Sequence, residues 1–535
     1  MYAAYHRLPY RAGPSVWHLK WPVKFLGTVF VRELWLPFFR DHKMANSQPK
    51  QLHVNLFEMN CVSHIIHGMW VHPDNNRHRF NDIEFWTELA QLVEYGTFDG
   101  IFLADVVGAY DQFRGGFGAS LEEAVQIPSN DPFLVIPAMA QVTKNLGFGA
   151  TFSTTYEPPF SFARRISTLD HLTKGRIGWN IVTSYLPNAA QNFGLEDEVP
   201  HDERYHIANE YVDVLYKLWE GSWEDDAVIQ DRENRVYTDP TKVHYINHEG
   251  KNFKVKGPHL SQPSRQRTPL LFQATGSNAG KEFAGRHAEA IFTGGNDIAS
   301  VRANIADMRA RAVAYGRDPS HIKFIAGAGI IVGRTADEVS AKLDDYRRLI
   351  SAEGRLAHSQ SRIDYTAYPA EITIAELIAR QVPGFQHIRF RPEQTVGEVL
   401  AQLRSVNYGR YFVAGTPEIV ADQIEKWLDE DGIDGINLVQ YLSFTTARDF
   451  IELVVPELRR RGRFRERYND GETLRERFLG QGHARLPAAH YGARFRDRAN
   501  FQLPTEPLNI PQQSNDAELL SMHELRQRAA PNSGA

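Results

Sequence analysis

Cys61 is the only cysteine of the chain, and His64 and His67 follow it within the stretch FEMNCVSHIIHGMW (57–70). A thiol beside imidazoles can ligate a metal, act as a nucleophile with its base, or line a pocket for another group. The HxxH spacing is weak evidence in a chain with 21 histidines, and the HExxH pattern of zinc enzymes is absent. A nucleophilic Cys61 would need a positioned base and an oxyanion hole. A pocket-lining thiol is the favoured reading, and no metal is expected. The pointed pattern lies elsewhere, in ATGSNAGKEF (274–283). Small residues there run into a helix, whose exposed N–H groups and dipole suit a phosphate. Gly294-Gly295 would let a backbone approach it closely.

These residues matter only if the fold brings them together. From Gln51 onward short apolar runs alternate with runs of helical periodicity. Strands are predicted at 52–59, 99–106, 146–155, 176–184, 269–275, 290–295, 322–333 and 434–442. Helices are predicted at 81–96, capped by Asn81, and at 131–143, 158–173, 206–221, 278–288, 298–315, 335–354, 416–432 and 446–462. The segment 236–258 reads as an inserted β-hairpin around His248-Glu249-Gly250. Eight such repeats imply an α/β fold, a (β/α)8 TIM barrel with insertions near 186–268 and 355–414 and an extended C-terminal segment. The alternative, an open doubly wound sheet binding a dinucleotide, should carry a glycine fingerprint after its first strand, where the sequence reads EMNCVSH.

In a barrel the site lies at the carboxyl ends of the strands. That rule selects Asn60, Cys61 and His64, then Asp105 and Tyr110, then Ser153 to Tyr156, then Asn180, Thr183, Ser184 and Tyr185. No carboxylate pair suited to glycoside cleavage stands among them. No Arg or Lys does either, and Arg164-Arg165 on the third helix are the nearest cations. A phosphate-bearing cofactor over an uncharged, aromatic-rich pocket suggests a flavin mononucleotide.

The chain is 535 residues long, 42% hydrophobic, with a net charge of −5, and offers no basic footprint for nucleic acid. The first acidic residue is Glu33, after Arg7, Arg11, Lys20, Lys24 and Arg32. Residues 1–50 read as an N-terminal extension, presequence-like in charge but poor in helical periodicity, with Met44 as the favoured natural start. The expected location is cytoplasmic, with organellar targeting by the extension as the alternative, and no segment reads as a membrane span. The barrel is placed at 51–465, a C-terminal arm at 466–502, and a tail of disordered composition at 503–535.

Long motifs carry a resemblance over roughly 51–494: NLFEMNCVSHIIHGMWVHP, FWTELAQLVEYGTFDGIFLADVVGAYD, TFSTTYEPPFSFARRISTLDHLTKGRIGWNIVTS, HDERY and QRTPLLFQATGSNAGKEFAGRHAEAIF. The sequence resembles the bacterial-luciferase superfamily of flavin-dependent monooxygenases. Within it the likeness is to the group acting on long-chain alkanes, nitrilotriacetate and dibenzothiophene sulfone, most of all to the alkane branch. The resemblance implies a TIM barrel, usually dimeric, that takes reduced FMN from a separate flavin reductase. Oxygen then forms a flavin peroxide adduct, and one oxygen atom enters an apolar substrate. It implies Asp105 and Ser153 near the flavin ring, and Ser184, Tyr205 and Ser277 by the ribityl and phosphate groups. It implies a reacting side built from Cys61, His64, Tyr110, Gln126 and His358. The family's fourth-strand TSH is here TSY, so Tyr185 replaces a His. Tyrosine, with a pKa of about 10, cannot supply a proton near neutrality as His can, but it still donates a hydrogen bond. His64 or His358 is the expected proton donor, and the 355–414 insertion the expected lid. The alternatives are oxygenation of a sulfone, an aminopolycarboxylate or another xenobiotic, and a non-catalytic flavin-binding barrel.

Overall fold

Strand β1 (His53–Met59) begins a closed parallel barrel continued by β2 (Gly100–Ala104), β3 (Gly147–Ser153), β4 (Ile177–Val182), β5 (Leu270–Ala274), β6 (Ala290–Thr293), β7 (Lys323–Val332) and β8 (Gly435–Val439). A computed structural model describes residues 49–407 and 409–510. Each strand pairs with the next in the chain, and β8 returns to β1 with His53 opposite Gly435. Closure removes both sheet edges and rules out the open doubly wound alternative. The strands are buried throughout most of their length because helices cover the outside and side chains fill the inside. Inside, Phe102 meets Phe292 edge-on at 4.6 Å, and Phe272 stacks on Phe292 at 6.0 Å.

The helices that position the site are α1 (Ile83–Tyr95), α2 (Pro159–Leu172), α3 (His201–Tyr216), α4 (Asn278–His287), α5 (Ala352–His358) and α6 (Leu474–Leu479). Helix α6 comes from the C-terminal arm and plugs the floor of the barrel. Its Phe478 stacks on His53 at 4.6 Å, and its Arg475, fully buried, pairs with buried Glu289 at 2.8 Å. Asp99 at the same end binds His53 and Arg465. Burial alone would raise its pKa, but the Arg465 guanidinium and His53 hold it far below the usual carboxylate range.

Several sequence expectations need correction. Asp82, not Asn81, stands at the N-cap of α1, and its side chain makes no capping bond. The helix expected over 335–354 is two, Ala336–Leu349 and α5, because the chain turns extended at Ile350 and Ser351 caps a new start by accepting from Gly354 N. The single hairpin expected at 236–258 is two ribbons, Val228–Asp231 with Val236–Thr238 and His248–Glu249 with Lys254–Val255. The 355–414 insertion holds its own helices, Ile374–Ala379 and Val396–Leu403, each opened by a threonine capping box. It ends in Phe412–Gly415, which adds to the far half of β7. The described part of the expected disordered tail, 503–510, is held: Asn209 and Arg286 donate to Glu506 O. The readings for 1–48 and 511–535 lie outside the described residues. Among the described residues no helix is long and apolar enough to cross a membrane.

Candidate active site

The chain leaving β1 is pinned before it can line anything. Buried Glu58 forms an ion pair with Arg77, and Arg77 Nη1 donates to Met59 O and Cys61 O at 3.0 and 3.1 Å. Burial pushes the Cys61 thiol up to about 12, so it stays protonated, and the nucleophile reading fails on physical grounds. Among the described residues no group of three or more His, Cys, Asp or Glu stands close enough to hold a metal ion.

Above this brace the predicted reacting residues converge on a string of hydrogen bonds. Tyr185 and Tyr110 hydroxyls lie 2.9 Å apart, and Tyr110 donates to Gln126 Oε1 at 3.1 Å. Gln126 Nε2 donates to the His64 carbonyl at 2.8 Å and reaches His358 Nε2 at 3.4 Å. The backbone of Gln126 is left-handed, φ 51°, held by its N–H bond to Ser63 O. His64 packs edge-on to Phe57 at 4.5 Å. Burial lowers its pKa well below the ordinary value, as it lowers that of His358 to about 4. Both rings are neutral at neutral pH, so neither supplies a proton there without a new charge beside it.

The predicted cofactor residues gather next door. A cavity of about 280 Å³ opens at the ends of β2, β4 and β5, lined among others by Asp105, Ser184, Tyr185, Arg204, Tyr205 and Gln273. Ser153 stands one bond behind, accepting from Ser184 Oγ at 2.9 Å. Ser277 caps α4 by accepting from Gly280 N at 3.1 Å. A side chain on Gly280 would have to displace its neighbours, since a Cβ would sit 1.8 Å from Thr275 Oγ1 and 2.7 Å from the Tyr205 hydroxyl. Cys61, His64, Tyr110, Gln126 and His358 do not line this cavity. Tyr185 joins the two groups, touching the cavity and the hydrogen-bond string. Burial and the nearby Asp131 charge raise Asp105 to about 7.

Sequence reasoning missed two residues. Arg204 is buried at the cavity, pairs with Glu198 at 3.3 Å and holds the carbonyl of Ser184, whose φ is +54°. Its signal was the HDERY motif, in which only Tyr205 was read. The expected cations Arg164 and Arg165 lie exposed on α2. His67, fully buried, bonds His358 Nδ1 at 2.9 Å. Sequence spacing could not show a partner 291 residues away.

The fit to a flavin rests on atoms left without partners. Asn60 Oδ1, Asn180 Oδ1, Gln273 Oε1, Thr275 Oγ1 and Arg204 Nε are buried with no hydrogen bond inside the chain. Such groups are costly unless a ligand satisfies them. Two of them, on Gln273 and Arg204, line the cavity, and Thr275 lies between β5 and the start of α4, which suits a ligand with an apolar ring, a polar edge and a phosphate.

A parallel barrel with this mouth is the framework of a cofactor-using TIM-barrel enzyme. The chain belongs to the luciferase-like monooxygenase family, whose pattern matches residues 62–435, and it is accordingly a flavin-dependent oxidoreductase. It is 52% identical to the long-chain alkane monooxygenase of Geobacillus thermodenitrificans, over 84% of this chain and 98% of that one. A crystal structure of a long-chain alkane monooxygenase superposes with a TM-score of 0.77, covering 84% and 100% of the two chains. The dimethyl-sulfide monooxygenase of Hyphomicrobium sulfonivorans is 42% identical over 84% and 94%. A riboflavin lyase solved with modified FMN and riboflavin is 37% identical, with a TM-score of 0.74 over 84% and 100%.

Proposed function

We propose that this chain is a monooxygenase that takes reduced FMN from a separate flavin reductase and places one atom of O2 on an apolar substrate of the long-chain alkane type. The observation that carries the reading is the substrate side of the mouth. Cys61, His64, Tyr110, Gln126 and His358 are uncharged there, the thiol and both rings kept neutral by burial, and the guanidinium braced beneath them, Arg77, is paired with buried Glu58. An aminopolycarboxylate would need several free cations there.

Bound reduced flavin would supply the electrons that activate oxygen. The residues that would hold it are Asp105 at the ring, Ser184 with Ser153 behind it, and Tyr205, Arg204 and Ser277 toward the phosphate. The neighbouring Tyr110, Gln126, His64 and His358, with the neutral Cys61 thiol, would wall the substrate side. Tyr185 offers a hydroxyl between the two. The proposed assembly is a homodimer.

An organosulfur substrate is the second reading, supported by the 42% identity to a dimethyl-sulfide monooxygenase. The test supplies reduced FMN and 18O2 with a panel of alkanes, sulfides, sulfones and aminopolycarboxylates. One 18O atom in an alkanol is the expected result. Turnover confined to sulfur compounds or chelates would overturn the alkane reading. Oxygen uptake with no labelled product from any of them would favour a flavin-binding barrel without oxygenase activity.

A further inference from the structure

The hydrogen-bond string at the mouth has a direction, and that direction follows from one fixed point. The carbonyl of His64 can only accept, so the Gln126 amide must turn its nitrogen toward it, at 2.8 Å. The amide oxygen then faces Tyr110, which donates to it. The remaining Gln126 N–H points at His358 Nε2, 3.4 Å away, which must therefore carry a lone pair. His358 is neutral, because burial lowers its pKa to about 4, so its hydrogen sits on Nδ1. That atom faces His67 Nε2 at 2.9 Å. His67, also kept neutral by burial, must accept there and carry its own hydrogen on Nδ1, which faces Ser63 Oγ at 3.1 Å.

The backbone locks the same contact. Gly68 adopts φ +92°, and a Cβ there would lie 2.1 Å from Leu349 O and 2.5 Å from Ser351 N. Ser351 N donates to His67 O. A Cβ on Gly354 would lie 2.6 Å from His67 Cβ, so α5 rests directly on this residue. The ring of His358 stands edge-on to His67 at 4.8 Å and to Tyr110 at 4.9 Å.

We propose that His67 is a positioning residue, which with Ser63 behind it holds His358 as the Nδ1–H tautomer and turns the Nε2 lone pair toward Gln126. His358 then serves the string as an acceptor, and the donation runs from the Tyr185 hydroxyl to Tyr110 and from Tyr110 to Gln126. Tyr185 is the exposed end of the string, 54% accessible, and Ser63 the closed end. This assignment deepens the oxygenase reading by saying which way protons can move beside the substrate, and it rests on that reading for its catalytic meaning only.

The test is the 15N imidazole spectrum of the full-length chain without flavin, with the His358 signal identified by its loss in His358→Gln. The wild type is expected to show the Nδ1–H form in excess of roughly tenfold, because each ring nitrogen is set by the bond the other makes. His67→Phe removes the acceptor and should cut that preference at least about tenfold. His67→Gln, whose amide oxygen can accept from Nδ1, should retain it. A wild-type His358 protonated on Nε2 would overturn the proposal, and this readout needs no variant to fold. An unchanged tautomer in a folded His67→Phe would overturn it as well. No flavin or substrate enters the measurement. Failure to find an oxygenated product would therefore sink the functional reading and leave the placement of His67 standing.

Discussion

Asp105 offers a prediction in which the cost of building the mouth can be weighed. Burial, with Asp131 nearby, raises its pKa from 3.8 to about 7. The folded state therefore holds a proton between these values that the unfolded state has released. The stability this proton confers is complete below about pH 4 and is lost as pH rises through about 7. At about 1.36 kcal/mol for each pH unit crossed, the cost of the ionised group is about 2 kcal/mol at pH 5 and about 4 at pH 8. Asp105→Asn is neutral at both. The stability difference, variant minus wild type, should thus grow by about 2.5 kcal/mol between pH 5 and pH 8, whatever its absolute size. Other titrating groups cancel in that difference. Urea unfolding of the flavin-free chain at the two pH values reads it as a shift of roughly half a molar in midpoint, for an m-value of about 5 kcal/mol/M. A difference constant with pH would refute the reasoning, because it would mean that Asp105 ionises in the folded chain as easily as in the unfolded one.

Other perturbations follow from the same geometry. Arg475→Met should destabilise by about 3–5 kcal/mol by leaving the Glu289 charge buried and unpaired, and adding Glu289→Gln should recover most of it; calorimetric melting of the single and double variants checks this. Gly280→Ala, which drives a methyl into Thr275 and Tyr205, should weaken FMN binding by about tenfold or more, roughly 1.4 kcal/mol, in a flavin fluorescence titration. Tyr110→Phe leaves the buried Gln126 acceptor and the Tyr185 hydroxyl without their shared partner. It should cost about 1–3 kcal/mol in urea unfolding and leave FMN affinity within about twofold, since Tyr110 does not line the cavity.

The barrel was legible because burial on two faces leaves a strong local trace. Runs such as GIFLA and GFGATFS are apolar or small throughout, and each is followed by a helical period. Asp105, Ser184 and Tyr205 were legible from strand ends and from likeness of motif. The contributions of His67 and Arg204 were not, because each depends on a contact across the fold. Nothing local to HIIHG says that α5 will lie on it, and nothing in HDERY says that Arg204 will bend back to the Ser184 carbonyl. The helix break at Ile350–Ser351 escaped for the same reason, since the docking of Ser351 on His67 selects it over continued helix.

The floor of the barrel sets an order on biosynthesis. Asp99 and Arg465 are 366 residues apart, and Arg475 follows its partner Glu289 by 186. At about 5–20 residues per second, a ribosome delivers Arg465 roughly 20–70 seconds after Asp99. Through that interval Asp99 has His53 beside it but lacks the Arg465 guanidinium, and β1 waits for β8. A nascent chain can assemble its early strand–helix units as they emerge. It can seal the barrel only when the arm bearing Arg465, Arg475 and Phe478 has left the tunnel, so completion of the active framework is reserved for nearly full-length chains.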